Sequence, residues 1–229
     1  MRTIVLLSGG LDSATVLALC RAEGQECHAL SFRYGQRHAL ELAAAARVAA
    51  SLGAASHRVA DIDVACLAGS ALTGGGEVPK GRREREIGQG IPATYVPARN
   101  TLFVAHAIAL AEATGADAIA LGINALDYSG YPDCRPEWLA AMQEVARLGT
   151  RAGIAGEPVR LLAPLLAMSK AEIIRRGIAL GVEYALTLSC YDPDADGRAC
   201  GACDACVLRR RGFQETGIPD PTRYRTARP

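Results

Sequence analysis

Leu7-Ser8-Gly9-Gly10-Leu11-Asp12-Ser13 decides how the rest of the chain is read. The apolar run Thr3-Ile4-Val5-Leu6-Leu7 before it predicts a buried strand, and Ala14 to Cys20 after it predicts a helix. Strand, glycine turn and helix in that order cradle an anion. Glycine carries no Cβ, so the backbone turns sharply and comes close to a ligand. Unpaired N–H groups and the positive end of the helix dipole then face negative charge. Ser8 and Ser13 add hydroxyl donors.

The stretch has no lysine of the kind that marks the G-x-x-x-x-G-K-[ST] loop, and it places Asp12 inside the turn. An acid beside a phosphate calls for a bridging cation, and Mg²⁺ takes carboxylate and phosphate oxygens together. S-G-G-x-D-S resembles the pyrophosphate-binding loop of the N-type ATP pyrophosphatases. That superfamily holds the β,γ-pyrophosphate of ATP while a substrate attacks the α-phosphate. The plainer alternative is a Gly-Gly turn with Asp12 capping a helix; the position of the match, at the first strand-to-helix junction, favours the nucleotide loop. By that resemblance Ser8, Gly9, Gly10, Leu11, Asp12, Ser13, Ala14, Thr15, Val16, Leu17 and Ala18 form the ATP-binding segment.

The chain has 229 residues, half of them apolar, with a formal net charge of +1. That length allows one domain with a small appendage. The balanced charge gives no broad footprint for nucleic acid or an anionic membrane surface. No apolar run is long enough to span a bilayer. Met1-Arg2 leads straight into the first strand, so the expected compartment is the cytoplasm. There the eight cysteines are expected to be thiols or metal ligands rather than disulfides.

Strands and helices alternate from the start. Cys27 to Phe32 and Ser56 to Ala60 read as strands, with an alanine-rich helix from Ala39 to Leu52 between them. Alternation of this kind predicts a parallel sheet with right-handed crossovers and a ligand cleft at the carboxyl ends of its strands. The Ser8–Ser13 and Arg33–His38 segments both leave such ends. Leu67 to Pro92 is a long polar loop, expected to be a lid over ATP, with its basic run Arg82 to Arg85 solvated. Tyr95-Val96 reads as a short strand, and Thr101 to Thr114 as an apolar helix. Arg99 lies in that helix's first turn, where a positive charge opposes the dipole; it therefore suits anion binding better than fold stability. Ala118 to Gly122 reads as a central strand, Pro136 to Leu148 as an amphipathic helix, and Val159 to Leu165 as a last strand and turn.

The loop Ile123 to Pro136 gathers tyrosines, acids and an arginine at a strand end. Tyr128 and Tyr131 offer faces for a flat heterocycle. Asp127 or Asp133 offers acceptors for a guanine-like edge, and Arg135 offers a bidentate clamp for a carboxylate. Cys134 is expected to be packed. Ser169 to Glu172 is a capping-box pattern that opens a helix. Lys170 at its start is equally suited to solvent or to phosphate.

Cys190, Cys200, Cys203 and Cys206 give C-x₉-C-x₂-C-x₂-C. Four soft ligands with C-x₂-C pairs suit one structural Zn²⁺ per chain, closed and without a catalytic position. An iron–sulfur cluster is the main rival, also held by four thiolates. Arg209, Arg210 and Arg211 follow on a helix, with Arg209 the one expected to reach the cleft or a partner chain.

Several blocks together resemble one family over nearly the whole length: Ser8 to Ser13, Tyr34 to His38, Tyr95 to Thr101, Asp127 to Arg135, and Ser189-Cys190-Tyr191 with the later cysteines. The family is the 7-cyano-7-deazaguanine synthases. The resemblance implies a Rossmann-like, adenine nucleotide alpha hydrolase-like α/β fold over residues 1–185, with a zinc-binding region at 186–229. It also implies a cytoplasmic homodimer acting on small molecules and not on nucleic acid or membrane. The implied reaction joins 7-carboxy-7-deazaguanine and ammonia at the expense of ATP and Mg²⁺, through an acyl-adenylate and then an amide. In that reading Asp12, Arg99 and Lys170 serve the phosphates, while Tyr128, Tyr131, Asp133 and Arg135 hold the deazaguanine. The backbone of Ser31 to Arg33 meets adenine. Another ammonia- or sulfur-transferring ATP pyrophosphatase, or a relative that attaches a deazaguanine to a macromolecule, stays open on the residues alone. So does a zinc-knuckle nucleic-acid binder, although it leaves Ser8 to Ser13 unexplained.

Overall fold

A computed structural model describes residues 1–36, 40–63, 69–73, 76–83, 86–87, 90–125 and 130–225. Among these residues five strands form one parallel sheet: β1 (Arg2–Leu6), β2 (Glu26–Arg33), β3 (Ser56–Asp61), β4 (Ala118–Ala120) and β5 (Arg160–Leu162). Their spatial order is β3-β2-β1-β4-β5. The chain first winds outward from β1 through β2 to β3, then returns to β1's other side for β4. The order reverses at β1, so the crevice opens beside the residues that leave that strand.

Side chains alternate across the sheet, as a two-residue period requires. Ile4 joins one buried cluster with Leu30, Val104, Ile108 and Ile119. Its neighbour Val5 joins the other, with Leu17, Ala29, Val48 and Ile173. The first face is covered by α3 (Arg99–Thr114) and α4 (Pro136–Gly149), followed by the short α5 (Arg151–Ile154). The second is covered by α1 (Leu11–Ala22), α2 (Leu40–Ser51) and α6 (Lys170–Ala179). Among its other contacts α1 packs between the sheet and α6. That explains a helix that is apolar nearly all round, with Ala14, Val16 and Leu17 fully buried. The capping box at α6 is present: Ser169 Oγ accepts from Glu172 N, and Glu172 reaches back to Ser169 N. The last helix, α7 (Asp204–Thr216), packs on α6.

Three expectations are corrected. Tyr95-Val96 is not a strand: between Pro92 and Pro97 it makes a turn, closed by Tyr95 N to Pro92 O at 2.9 Å, with Ala98 N donating to the Tyr95 hydroxyl. The described part of the Leu67–Pro92 loop is anchored, since Leu72 and Val78 are buried in the core. Arg82 is not solvated there but pairs with Asp204 at 2.9 Å, while Lys80 bridges Cys203 backbone to backbone. Arg209 does not line the cleft but sits behind its wall, with Nη1 3.3 Å from Ser189 Oγ. It is 3 % exposed and braces the C-terminal segment, donating to Asp220, Thr187 and the Tyr184 carbonyl.

Candidate active site

The turn after β1 is braced by its own hydroxyls. Ser13 Oγ accepts from Ser8 N at 3.2 Å and donates to the Gly10 carbonyl at 3.1 Å, and Ser8 Oγ accepts from Gly10 N. Gly9 has φ +82°, and a Cβ there would lie 2.6 Å from both Ala45 N and Glu41 O on α2. Only glycine permits that backbone and that approach. Gly10 is the N-cap of α1 and supplies no side-chain cap. The helix start therefore faces the crevice with its backbone N–H groups and dipole. Ser8, Gly10, Leu11, Asp12 and Ser13 line this crevice.

The expected nucleotide segment thus divides. Ala14, Thr15, Val16, Leu17 and Ala18 lie in the core, outside the lining, and anchor the turn. Thr15 Oγ1 bonds the Leu11 carbonyl and meets the Tyr184 hydroxyl at 2.8 Å.

Asp12 and Lys170 are paired. Lys170 Nζ lies 2.7 Å from Asp12 Oδ1 and 2.9 Å from Oδ2, and the side chains are only 8 % and 17 % exposed. The lysine stem passes over Gly212 of α7, where a Cβ would sit 2.4 Å from Lys170 Cγ. Lys170 is thus held on the carboxylate and is not part of the crevice surface.

Arg99 forms the opposite wall. It begins α3 after Ala98, whose φ of +51° is the one positive value at a non-glycine among the described residues. Its Nη1 donates to the Tyr34 hydroxyl at 3.4 Å. Its guanidinium lies 5.8 Å from the Tyr34 ring and 5.9 Å from the Phe103 ring, close enough for cation–π attraction. Phe103 stacks in turn on Phe32 at 4.1 Å. Ser31 and Phe32 line the crevice, whereas Arg33 is exposed and pairs with Asp61. Glu41, from the first turn of α2, completes this side.

The four residues expected to hold a heterocycle separate. Tyr131 lines the crevice, its hydroxyl 2.7 Å from that of Thr94. Asp133 lies behind the wall, where Oδ2 accepts from Asn100 N at 2.9 Å and so caps the start of α3. Burial raises its carboxyl, against the lowering pull of Asn100 N–H and Arg99. Its Oδ1 is buried without a hydrogen-bond partner. Arg135 is exposed, with Nε on the Pro132 carbonyl, and is not on the crevice surface. Tyr128 and Asp127 lie outside the described residues. Cys134 is packed as expected; burial pushes its thiol up to about 12.

The cysteines Cys190, Cys200, Cys203 and Cys206 converge, with all four Sγ atoms within 4.8 Å of one another. Cys200 and Cys206 Sγ are 4.0 Å apart. A tetrahedral ion with bonds of about 2.3 Å spaces its sulfurs about 3.8 Å apart, so the donor set and its size fit a closed metal centre. Its neighbours enter the crevice: Leu188, Ser189 and Tyr191, flanking Cys190, are part of the lining. Leu188 N donates to Gly9 O at 2.9 Å, and Ser189 Oγ lies 3.4 Å from Leu11 N. Sequence reasoning assigned no role to Leu188, Phe103 or Glu41. The last carried one signal, a lone acid at the start of an alanine-rich helix.

The chain matches the family model "Queuosine biosynthesis protein QueC" over residues 2–217. It is 59 % identical over 224 residues to the 7-cyano-7-deazaguanine synthase of Anaeromyxobacter dehalogenans, covering 97 % of this chain and 95 % of that one. The enzyme of the same name from Cupriavidus taiwanensis is 58 % identical over 227 residues, covering 99 % and 98 %. Among solved structures, a 4-thiouridine synthetase in complex with RNA and bound ATP superposes with a TM-score of 0.52 at 18 % identity. That match covers 97 % of this chain and 47 % of the other, a likeness of fold.

Proposed function

The chain belongs to the QueC family of queuosine biosynthesis proteins, and from that premise we propose how its crevice carries out the family's reaction. The activity is that of a C–N bond-forming ligase making 7-cyano-7-deazaguanine. A carboxylate is a poor acyl donor, so one oxygen of 7-carboxy-7-deazaguanine attacks the α-phosphate of ATP and becomes part of a leaving group. Ammonia displaces AMP to give the amide. A second ATP activates the amide oxygen, and its departure leaves the nitrile. No covalent protein nucleophile is needed.

The observation that carries this reading is the braced glycine turn at the sheet's reversal point, facing the Arg99 guanidinium across one crevice. Ser8, Gly10, Leu11 and Ser13 present backbone and hydroxyl donors to the pyrophosphate, and Gly9 lets α2 close behind the turn. Arg99 neutralises charge that develops on phosphate. Phe32 and the Ser31 backbone take the adenine, and Tyr131 stacks on the deazaguanine. Tyr128 and Arg135 keep their proposed substrate roles, with Arg135 moving to meet the carboxylate. Asp133 serves that site from behind, through its unpartnered Oδ1.

Asp12 has about two lone-pair directions left after Lys170. Those directions fit Mg²⁺ carried in with ATP, which would add positive charge on the phosphates. Lys170 serves the same phosphates indirectly, by fixing that carboxylate. The four cysteines hold one Zn²⁺, which supplies cross-linking and no chemistry. Residues 1–185 act as the ATP pyrophosphatase-type unit and 186–229 as the metal-binding region packed on it. The reading includes a cytoplasmic homodimer that does not act on nucleic acid; the near-zero net charge supports the last point. Incubation with ATP, Mg²⁺, ammonia and the carboxy-deazaguanine, followed by mass analysis, tests it. Nitrile appears if it is right, and no ATP-dependent product appears if it is wrong.

A further inference from the structure

Ammonia brings three N–H bonds and a nitrile has none, so the proposed reaction needs a proton acceptor beside the carbon that ammonia attacks. The crevice offers few. Asp12 accepts from Lys170 at both oxygens, and its remaining lone pairs are the ones proposed for Mg²⁺. Arg99 is a cation. Tyr34, Tyr131 and Tyr191 offer phenol hydroxyls, and burial raises the first two. Cys134 is a thiol held up at about 12 by burial. Asp133 lies behind the wall and off the crevice surface, with Oδ2 on Asn100 N and Oδ1 buried there.

Glu41 remains. It lines the crevice from α2, directly behind the phosphate turn, where its own carbonyl would be 2.6 Å from a Cβ on Gly9. No hydrogen bond or ion pair among the described residues holds its carboxylate. The charged and titratable groups acting on it are Arg99 on α3 and Tyr34 after β2.

Building on the ligase reading, we infer that the Glu41 carboxylate is the base that takes protons from nitrogen in both rounds. In the first round ammonia's lone pair forms the C–N bond, one N–H proton passes to Glu41 Oε, and AMP leaves with the former C–O electrons. In the second round the adenylated amide gives up its N–H protons one at a time to the same oxygen, and AMP leaves as the third C–N bond forms. Glu41 returns each proton to water between steps. Burial lifts its carboxyl to about 7, against the lowering charge of Arg99, which matches a base that must be reset near neutrality.

The test separates activation from amination. Attack of the carboxylate on ATP moves no proton, so exchange of labelled pyrophosphate into ATP, measured with the carboxy-deazaguanine and no ammonia, persists in Glu41→Gln. Amide and nitrile formation in that variant fall by about 10²- to 10⁴-fold, the usual worth of a positioned base. With hydroxylamine as the nucleophile, its free-base concentration held constant at each pH, the wild-type rate declines as pH falls through about 7. Glu41→Gln lacks that decline. Glu41→Asp, which keeps a carboxylate, retains the pH limb at a lower rate and covers the case in which the glutamine variant does not fold. Amination at the wild-type rate in Glu41→Gln, or equal loss of exchange and amination, overturns the inference. Absence of exchange in the wild type instead overturns the adenylation reading beneath it.

Discussion

The ammonium of Lys170 contacts both carboxylate oxygens of Asp12, and both side chains are mostly out of water. Removing one partner of such a pair leaves an uncompensated charge, at a cost of about 3–5 kcal/mol, whereas replacing both with well-packed neutral groups is close to neutral. Asp12→Asn is therefore expected to abolish nitrile formation and also to lower the urea midpoint. The double variant Asp12→Asn with Lys170→Met recovers most of the midpoint and none of the activity. Urea melts and turnover on the three proteins check this; recovered activity in the double variant would remove the pair from the mechanism. The identity of each partner was legible in the sequence, Asp12 from its turn and Lys170 from its capping box. Their pairing was not, because 158 residues separate them and no local pattern encodes that distance. Gly9 is a sharper case. The sequence marks it as a turn glycine, and the structure adds that α2 backbone lies against its face. Gly9→Ala is expected to displace the start of α2, weakening ATP binding measured by calorimetry as well as stability. Unchanged affinity would contradict the role given to the turn.

At the scale of elements, the strand–helix alternation was readable because each segment carries its own period. The strands and α1 to α4 fall within a few residues of their expected bounds. Tyr95-Val96 failed because two β-formers between prolines have no sheet neighbour; propensity without a pairing edge does not make a strand. Arg209 failed because a basic triplet on a helix shows nothing of burial. The chain's return through Asp220, together with Thr187 and the Tyr184 carbonyl, covers it. Burial acts to raise the Asp220 carboxyl, but Arg209, the Tyr224 hydroxyl and the Thr222 N–H outweigh it and hold it below the usual carboxylate range. A depressed folded value contributes stability above the unfolded value of about 3.9. That contribution is lost as pH falls through the lower, folded one. Asp220→Asn should thus reduce stability at neutral pH and flatten the acid limb of the stability curve; an unaltered limb would show that the brace contributes nothing. The cysteine knuckle was fully legible from spacing. Its reach was not: Cys190 sits between Ser189 and Tyr191 in the crevice wall. Cys203→Ser is expected to lose the zinc proposed for these four thiols, measured by elemental analysis, and to lower the melting temperature and ATP affinity together. Loss of metal with intact ATP affinity would uncouple the two.

Across the whole molecule, one sheet reversal brings together residues from both ends of the chain: the turn after β1, the starts of α2 and α3, and the segment before the last helix. The sequence predicted that such a crevice exists and that Ser8 to Ser13 faces it. The opposite wall depended on packing, which sends Arg135 outward and Asp133 behind α3 while bringing Glu41 in. In the proposed reaction each oxygen of the substrate acid leaves on the α-phosphorus of ATP. A single turnover with carboxy-deazaguanine carrying oxygen-18 at both carboxylate positions tests it directly, by mass analysis of the nucleotide products. One labelled oxygen is expected in each AMP released, first from the acid and then from the amide. Nitrile formed alongside unlabelled AMP, with the label in water or inorganic phosphate, would contradict it.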